Sequence, residues 1–391
     1  MKPFLLVGIT ILILLPLTVV QPAEAAPPSS RIGAQGSVLC PPGIYLETPG
    51  DCLPLGPSAY LTEMARQGFT FPLQPLPAMK LDPALAELPY YYAKLKEEPT
   101  PVYANLDDAV SERSPIRTIE AGALNYVTYV DFAETSNGRF FLLKGGGWVR
   151  VASRVSPPRN FMGGLTFSRT PHNSFGWIMP FSSDTQSKRT PGYQANDYTG
   201  RSFSQYEVVQ IYSVQLVGDK DWYQIGPDEW IEQRIVGRVV PNTTPPKGVT
   251  NGRWIEVNLF EQTLAVYDQN QLVFATLIAS GVPPFHTRPG LFPVYKKLES
   301  TTMSGSFELD RSDFYYLENV PYTLYYDEAR ALHGAYWRSY MGYKQSHGCV
   351  NLSISDAHWL FNWANEGDWV YVWDPSGETP VDPSLYSEGG A

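Results

Sequence analysis

The strongest constraint on the fold is a step-of-two alternation of apolar and polar residues, repeated in short runs that turn residues cut off. Arg253-Trp254-Ile255-Glu256-Val257-Asn258-Leu259 alternates, as does Thr263-Leu264-Ala265-Val266-Tyr267. Asp268 to Asn270 then turn the chain before Leu272-Val273-Phe274-Ala275. Such a period places one set of side chains on one face of a sheet, so these runs predict a meander that buries one face. Helical spacing is confined to two short stretches, 58–68 with Gly68 as its stop and 355–364 with Gly367 as its stop. Asp368-Trp369-Val370-Tyr371-Val372-Trp373 supplies a final strand. The expected fold is mainly β with short helices.

A chain of 391 residues exceeds a typical single domain, and its sequence divides accordingly. Residues 26–95 read as an N-terminal segment with a proline-spaced linker over 71–89. Two β-rich segments follow, at 96–160 and 172–246, the second including a Pro/Thr linker over 242–248. In the first, Leu124-Asn125-Tyr126-Val127-Thr128-Tyr129-Val130 forms the core, Asn137-Gly138 gives a hairpin turn, and Gly147-Trp148-Val149-Arg150-Val151 closes the unit. In the second, the strands are Tyr206-Glu207-Val208-Val209-Gln210-Ile211-Tyr212, Asp221-Trp222-Tyr223-Gln224-Ile225 and Glu229-Trp230-Ile231. Both resemble bacterial SH3-like barrels, whose strands often end in Gly-Trp or Asp-Trp-Tyr. That resemblance implies either wall-peptide binding or packing against a neighbouring domain. Residues 250–374 form the last domain and 375–391 a tail.

The N-terminus bears on the compartment. Met1 and Lys2 give a short positive start, an apolar run spans Phe4 to Val20, and Ala23-Glu24-Ala25 ends in a small-x-small pattern. This is the layout of a signal peptide over residues 1–25, cleaved after Ala25. The alternative is an uncleaved N-terminal membrane anchor, although Pro16 interrupts a run already short for a span of about 20 residues. Either way the folded part is expected outside the cytoplasm, in the periplasm or cell wall. Disulfides are permitted there, and Cys40 and Cys52 flank a Pro/Gly-rich loop that a bridge would close for about 3 kcal/mol. With three cysteines in the chain, that pairing leaves Cys349 alone. A net charge of −10 argues against nucleic acid and against a polybasic membrane patch.

Cys349 has chemical company. His333-Gly334-Ala335-Tyr336-Trp337 lies upstream, and Ser346-His347-Gly348-Cys349-Val350-Asn351 begins after twelve residues counted from His333. A thiolate is the reactive form of cysteine, and a nearby imidazole can accept the thiol proton or steady the anion. Glycine before the thiol permits a tight turn whose N–H groups can converge on a developing oxyanion. A thioester is readily aminolysed, so the residues alone point to acyl transfer. His333, His347 and Cys349 as zinc ligands would lack a fourth partner at close spacing, and a buried structural thiol is the other bland reading. Among the other histidines, His358 reads as packing or surface, His286 as an exposed loop residue that would otherwise line the substrate entrance, and His172 has no evident partner. Tyr315-Tyr316-Leu317 and Tyr325-Tyr326 read as core or lid.

The histidine followed by Ser-His-Gly-Cys-apolar-Asn resembles the signature of the L,D-transpeptidase (YkuD-type) catalytic domain, over about residues 250–373. Ala279-Ser280-Gly281, the opening strands and the terminal helix and strand agree with it. The glycine loop departs by one position, reading Thr287-Arg288-Pro289-Gly290-Leu291-Phe292 where the family usually has Thr-Pro-x-Gly-x-Phe. The resemblance implies a β-sandwich-like catalytic domain that uses no metal or organic cofactor. It makes Cys349 the nucleophile and His333 the general base. The backbone around His347, Gly348 and Cys349 would form the oxyanion hole, with Ser346 and Asn351 holding the loop. The implied partners are peptidoglycan stem peptides, a donor tetrapeptide and an acceptor amine, joined in a crosslink between third residues. An L,D-carboxypeptidase on the same peptides, or a non-catalytic wall-binding protein, are the alternative expectations.

Overall fold

The computed structural model describes residue 69 and residues 73–151, 153–155, 162–179, 185–306 and 310–386. The signal segment, the helix expected over 58–68 and the bridge expected between Cys40 and Cys52 lie outside these residues.

The described chain opens with β1 (Ala78–Lys80), and the first β region then runs through β2 (Tyr91–Lys94), β3 (Thr100–Val102), β4 (Arg117–Ile119), β5 (Leu124–Thr135), β6 (Gly138–Leu143), β7 (Trp148–Arg150) and β8 (Ser153–Val155). A short helix, α1 (Leu106–Ser111), starts at Asn105, whose side chain accepts from Asp108 N. The hairpin expected at Asn137-Gly138 joins β5 to β6, with Gly138 at φ +123°, where a side chain is strained. β2 lies before residue 96, where the sequence places the start of this module, yet it pairs with both β5 and β8. The proline-spaced stretch before it is also partly structured, since β1 sits within it.

The second β region contains β9 (Leu165–Phe167), β10 (Ser174–Ile178), β11 (Gln186–Lys188), β12 (Tyr198–Ser202), β13 (Val208–Ile211), β14 (Ser213–Val217), β15 (Lys220–Gly226), β16 (Glu229–Glu232) and β17 (Val236–Val239). Apart from β9, these strands form two sheets of their own, ordered β13-β10-β17 and β12-β11-β16-β15-β14. Ile178, Val209, Ile211, Tyr223, Ile231 and Val236 fill the core they share.

The last region comprises β18 (Trp254–Asn258), β19 (Thr263–Asp268), β20 (Gln271–Leu277), β21 (Gly290–Pro293), β22 (Lys296–Gly305), β23 (Tyr315–Asp327), β24 (Arg330–Gly334), β25 (Val350–Leu352), α2 (Ile354–Trp363) and β26 (Trp369–Trp373). The predicted meander is β18-β19-β20, and it sits in a seven-stranded sheet ordered β1-β9-β20-β19-β18-β26-β21. A nine-stranded sheet has β25-β24-β23-β5-β2-β8 as its spine, with β22, β6 and β7 paired beside it. Ile255, Val257, Leu264 and Val266 of the first sheet share one apolar core with Leu324, Leu332, Val350 and Leu352 of the second, and Leu360 of α2 joins them. Burial of each such side chain stabilises the fold by about 1.5–3 kcal/mol. Ser353 caps α2, its hydroxyl accepting from Asp356 N at 3.2 Å. The helix ends at Ala364, earlier than its expected glycine stop, and Gly367, at φ +94°, turns the chain into β26.

β5 of the first β region runs parallel to β23 of the last, with Tyr315, Tyr316 and Leu317 opposite Leu124, Asn125 and Tyr126. Buried Glu318 fastens this seam, one carboxylate oxygen accepting from Thr128 N at 2.8 Å and Thr128 Oγ1 at 3.1 Å and the other from the Tyr316 hydroxyl. The first β region and the last region therefore share a sheet.

Candidate active site

β24 and β25 lie side by side and parallel, with His333 opposite Asn351. Cys349 immediately precedes β25, so this pairing brings the two sequence-predicted residues into one cleft. Leu124, Met303, Tyr315, Leu317, Trp337, Arg338, Ser346, His347 and Asn351 line it with them. Cys349 is a free thiol, 7% exposed, and His333 is 2% exposed.

The turn before Cys349 is fixed by its own polar groups. Gly348 has φ +118°, a conformation that strains any residue with a Cβ. Ser346 Oγ accepts from Gly348 N at 3.2 Å and donates to the carbonyl of Cys349, tying both ends of the turn to one side chain. Thr287 Oγ1 donates to the Gly348 carbonyl at 2.8 Å and accepts from Gly281 N at 2.9 Å. Ala279 and Asn351 exchange backbone hydrogen bonds at 3.0 Å, which holds the far side of the turn against the 279–281 segment. The Gly348 N–H, expected among the oxyanion donors, is thus engaged with Ser346.

His333 Nδ1 lies 3.2 Å from the Gly334 carbonyl. A carbonyl only accepts, so Nδ1 carries the hydrogen in this contact and Nε2 keeps its lone pair for a proton. Burial lowers the His333 pKa to about 4; the Gly334 contact opposes that and the Arg338 charge adds to it. Burial likewise pushes the Cys349 thiol up to about 11, against hydrogen bonding from the Ala331 backbone and the charge of Arg330. Both groups are therefore neutral at pH 7. Such a pair can move a proton when a substrate draws the sulfur forward, while a resting ion pair is disfavoured by desolvation.

His347 stacks with Tyr315 at 6.1 Å between ring centres and 11° between planes, and burial lowers its pKa. His286 is half-buried in the loop beside Gly348, its carbonyl 3.7 Å from where a Gly348 Cβ would stand. His358 stacks on Tyr322 with 4.2 Å between ring centres, which fits the packing role expected of it. His172 is exposed. Among the described residues no group of three or more His, Cys, Asp or Glu side chains is placed to hold a metal ion.

Sequence reasoning overlooked several lining residues. Leu124 arrives from a strand more than 200 positions upstream, and nothing local signals it. Tyr315, read as core or lid, stands in the cleft wall. Thr287 belongs to the loop with the displaced proline, and its hydroxyl is what braces the catalytic turn.

Residues 252–372 match the family model of the YkuD L,D-transpeptidase catalytic domain. Among solved structures, the catalytic domain of the Enterococcus faecium L,D-transpeptidase acylated by ertapenem is 30% identical, covering 32% of this chain and 100% of that one, with a TM-score of 0.29. A cysteine-to-serine mutant of the E. faecium L,D-transpeptidase is 29% identical, covering 31% of this chain and 50% of that one, with a TM-score of 0.29. Mycobacterium tuberculosis L,D-transpeptidase 1 is 24% identical, covering 31% of this chain and 61% of that one, with a TM-score of 0.27. The chain spans about half the length of the longer E. faecium structures it matches. No curated protein matches it. The segment 252–372 belongs to the YkuD family of L,D-transpeptidase catalytic domains.

Proposed function

We propose that this protein is an extracytoplasmic peptidoglycan L,D-transpeptidase that joins third residues of stem peptides through an acyl-enzyme on Cys349. The observation that carries the reading is the convergence of Cys349 and His333 on one cleft, with the nucleophile at the end of a turn pinned by Ser346 and Thr287. The family match of the surrounding segment supports it.

In this reading Cys349 Sγ attacks the carbonyl carbon of the third residue of a donor tetrapeptide as its proton passes to His333 Nε2. The turn's N–H groups stabilise the tetrahedral oxyanion, and each such donor is worth about 2.7–4 kcal/mol in the barrier. His333 returns the proton to the departing amine, and the terminal D-alanine leaves. The amine of a second stem peptide attacks the thioester, the thiol re-forms, and a new amide joins the two stems. Every step uses groups of the chain and its two substrates. The acylated E. faecium domain makes reaction of Cys349 with a carbapenem a further part of the proposal.

The upstream segments 96–160 and 172–246 are read as SH3-like modules, a reading supported by the antiparallel pairs β5-β6-β7 in the first and β14-β15-β16 in the second. The sequence of residues 1–25 supports export, by a cleaved signal or an uncleaved anchor.

Incubating the full chain with a defined tetrapeptide, followed by mass spectrometry of the products, tests the function. Crosslinked dimer is expected from the native protein and none from Cys349→Ala. Replacing His333 with Ala should leave the fold intact and slow acylation by about 100-fold or more. Tripeptide without dimer would assign a carboxypeptidase instead, and dimer formed by Cys349→Ala would remove the nucleophile.

A further inference from the structure

The cleft contains a cation that the acyl-transfer steps leave unused. Arg338 lines it together with His333, His347 and Cys349. Gln345 holds one end of its guanidinium: Nη1 donates to Gln345 Oε1 at 3.3 Å, and Nη2 donates to the Gln345 carbonyl. These contacts use two of the five N–H groups an arginine carries. The Arg338 Nε–H is buried and has no hydrogen-bond partner among the described residues.

The other arginines near the site are satisfied differently. Arg288 and Arg330 both pair with the buried carboxylate of Asp327. No described carboxylate lies within 4.0 Å of the Arg338 guanidinium. Desolvation by the surrounding cleft weakens the hold of Arg338 on its proton. A largely buried guanidinium without an anion is expensive to keep, and its planar fork matches the two oxygens of a carboxylate. Arg338 therefore lacks a counter-charge that the substrate can bring.

We propose that Arg338 is the carboxylate-binding residue of the cleft, gripping an acidic group of the donor stem peptide beside the bond that Cys349 attacks. The proposal rests on the reading given under Proposed function. Two carboxylates of such a peptide can lie close to that bond: the α-carboxylate of the expelled C-terminal residue and, in stems whose third residue carries one, its side-chain carboxylate. Both present the same chemistry to Arg338.

The test uses the full chain with Cys349→Ala, which leaves binding without turnover, and titration calorimetry with three tetrapeptides. One is the free acid, one is amidated at the C-terminus, and one is amidated on the third-residue side chain. One of the two amides should bind about 10- to 100-fold more weakly than the acid, and its identity names the carboxylate recognised. Adding Arg338→Gln should remove that difference, and Arg338→Lys, which keeps the charge without the fork, should restore part of it. The comparison of acid with amide needs no substitution at 338, so misfolding of a variant cannot mimic the result. Tight but equal binding of all three peptides overturns the carboxylate site alone. Failure of every tetrapeptide to bind overturns the substrate reading with it.

Discussion

The two β regions upstream of the catalytic segment have similar strand lengths and aromatic-rich sequences, yet they serve the cleft in different ways. The first shares a sheet with it: β5 pairs with β23, Glu318 bridges the seam, and Leu124 stands in the cleft wall. The second keeps two sheets of its own apart from β9, which pairs with β20 of the meander, and none of its residues lines the cleft. Its Tyr206 hydroxyl accepts from Met341 N at 3.0 Å, in the segment that links His333 to Cys349. Its Arg238 pairs with Glu261, next to the opening meander. Tyr92 and Tyr126 of the first region also pack around Tyr336, which neighbours Trp337. Both regions pair with a sheet of the last region, so what separates them is which strand they join: β5 meets β23 at the cleft, whereas β9 meets β20 away from the cleft lining.

That contrast can be broken at its seam. Glu318→Ala removes the acceptor for Thr128 N and Oγ1 and leaves buried donors unpaired, so it should destabilise the protein by about 3 kcal/mol, read as a shifted denaturation midpoint. It should also lower acyl transfer below saturation, because the wall carrying Leu124 loosens. Full activity in the folded variant would show that the shared sheet is incidental to the cleft.

A milder change tests the wall itself. Leu124→Asn is nearly isosteric and should reduce kcat/KM about tenfold, chiefly through KM, with little change in Tm. Tyr206→Phe probes the second region, and the loss of its contacts with the Met341 backbone should cost about 1 kcal/mol of stability. Its kcat/KM should stay within about twofold of the native value. Equal effects of the two substitutions on activity would erase the distinction between the regions.

Acid titration should leave the modules aside and report on the cleft. The His333 pKa is lowered from an ordinary 6.5 to about 4, so the base stays neutral and kcat/KM should hold level between pH 5 and 7, falling only near pH 4. The sign for stability is opposite to that of a paired histidine. Below pH 6.5 the unfolded chain binds a proton that the folded one refuses until about pH 4, so stability from this residue falls as pH drops through that window. Leu124→Asn and Tyr206→Phe should share the native pH profile. An acid limb centred at 6.5 would place His333 in water rather than in a buried wall.

The turn before Cys349 is legible in the sequence because its parts are local: Ser346 to Asn351 carry the bracing hydroxyl, the glycine and the thiol within six positions. The meander is legible in its strands and turns, but not in its burial: β19 is buried from Thr263 to Tyr267, and the two faces of the meander feed two separate cores rather than burying the one face expected. β23 is harder to read. Its burial repeats roughly every three residues, and Asn319 and Tyr322 sit at positive φ, which disrupts the alternation that marks a strand. The longest strand of the molecule therefore reads as a tyrosine-rich core or lid. Prolines around β1 hide a three-residue strand whose existence depends on pairing with β9. Leu124 and Arg338 show the remaining limit, because a cleft assembled from distant strands leaves no local pattern.

The central claim is that Cys349 carries the acyl group. Intact-protein mass spectrometry after brief mixing with a defined tetrapeptide measures it directly. The account expects the chain to gain the mass of the tripeptide acyl group, with the adduct mapped to Cys349 by digestion and lost when hydroxylamine cleaves the thioester. An adduct mapped to any other residue, or crosslinking by a protein whose Cys349 has been blocked, would contradict it.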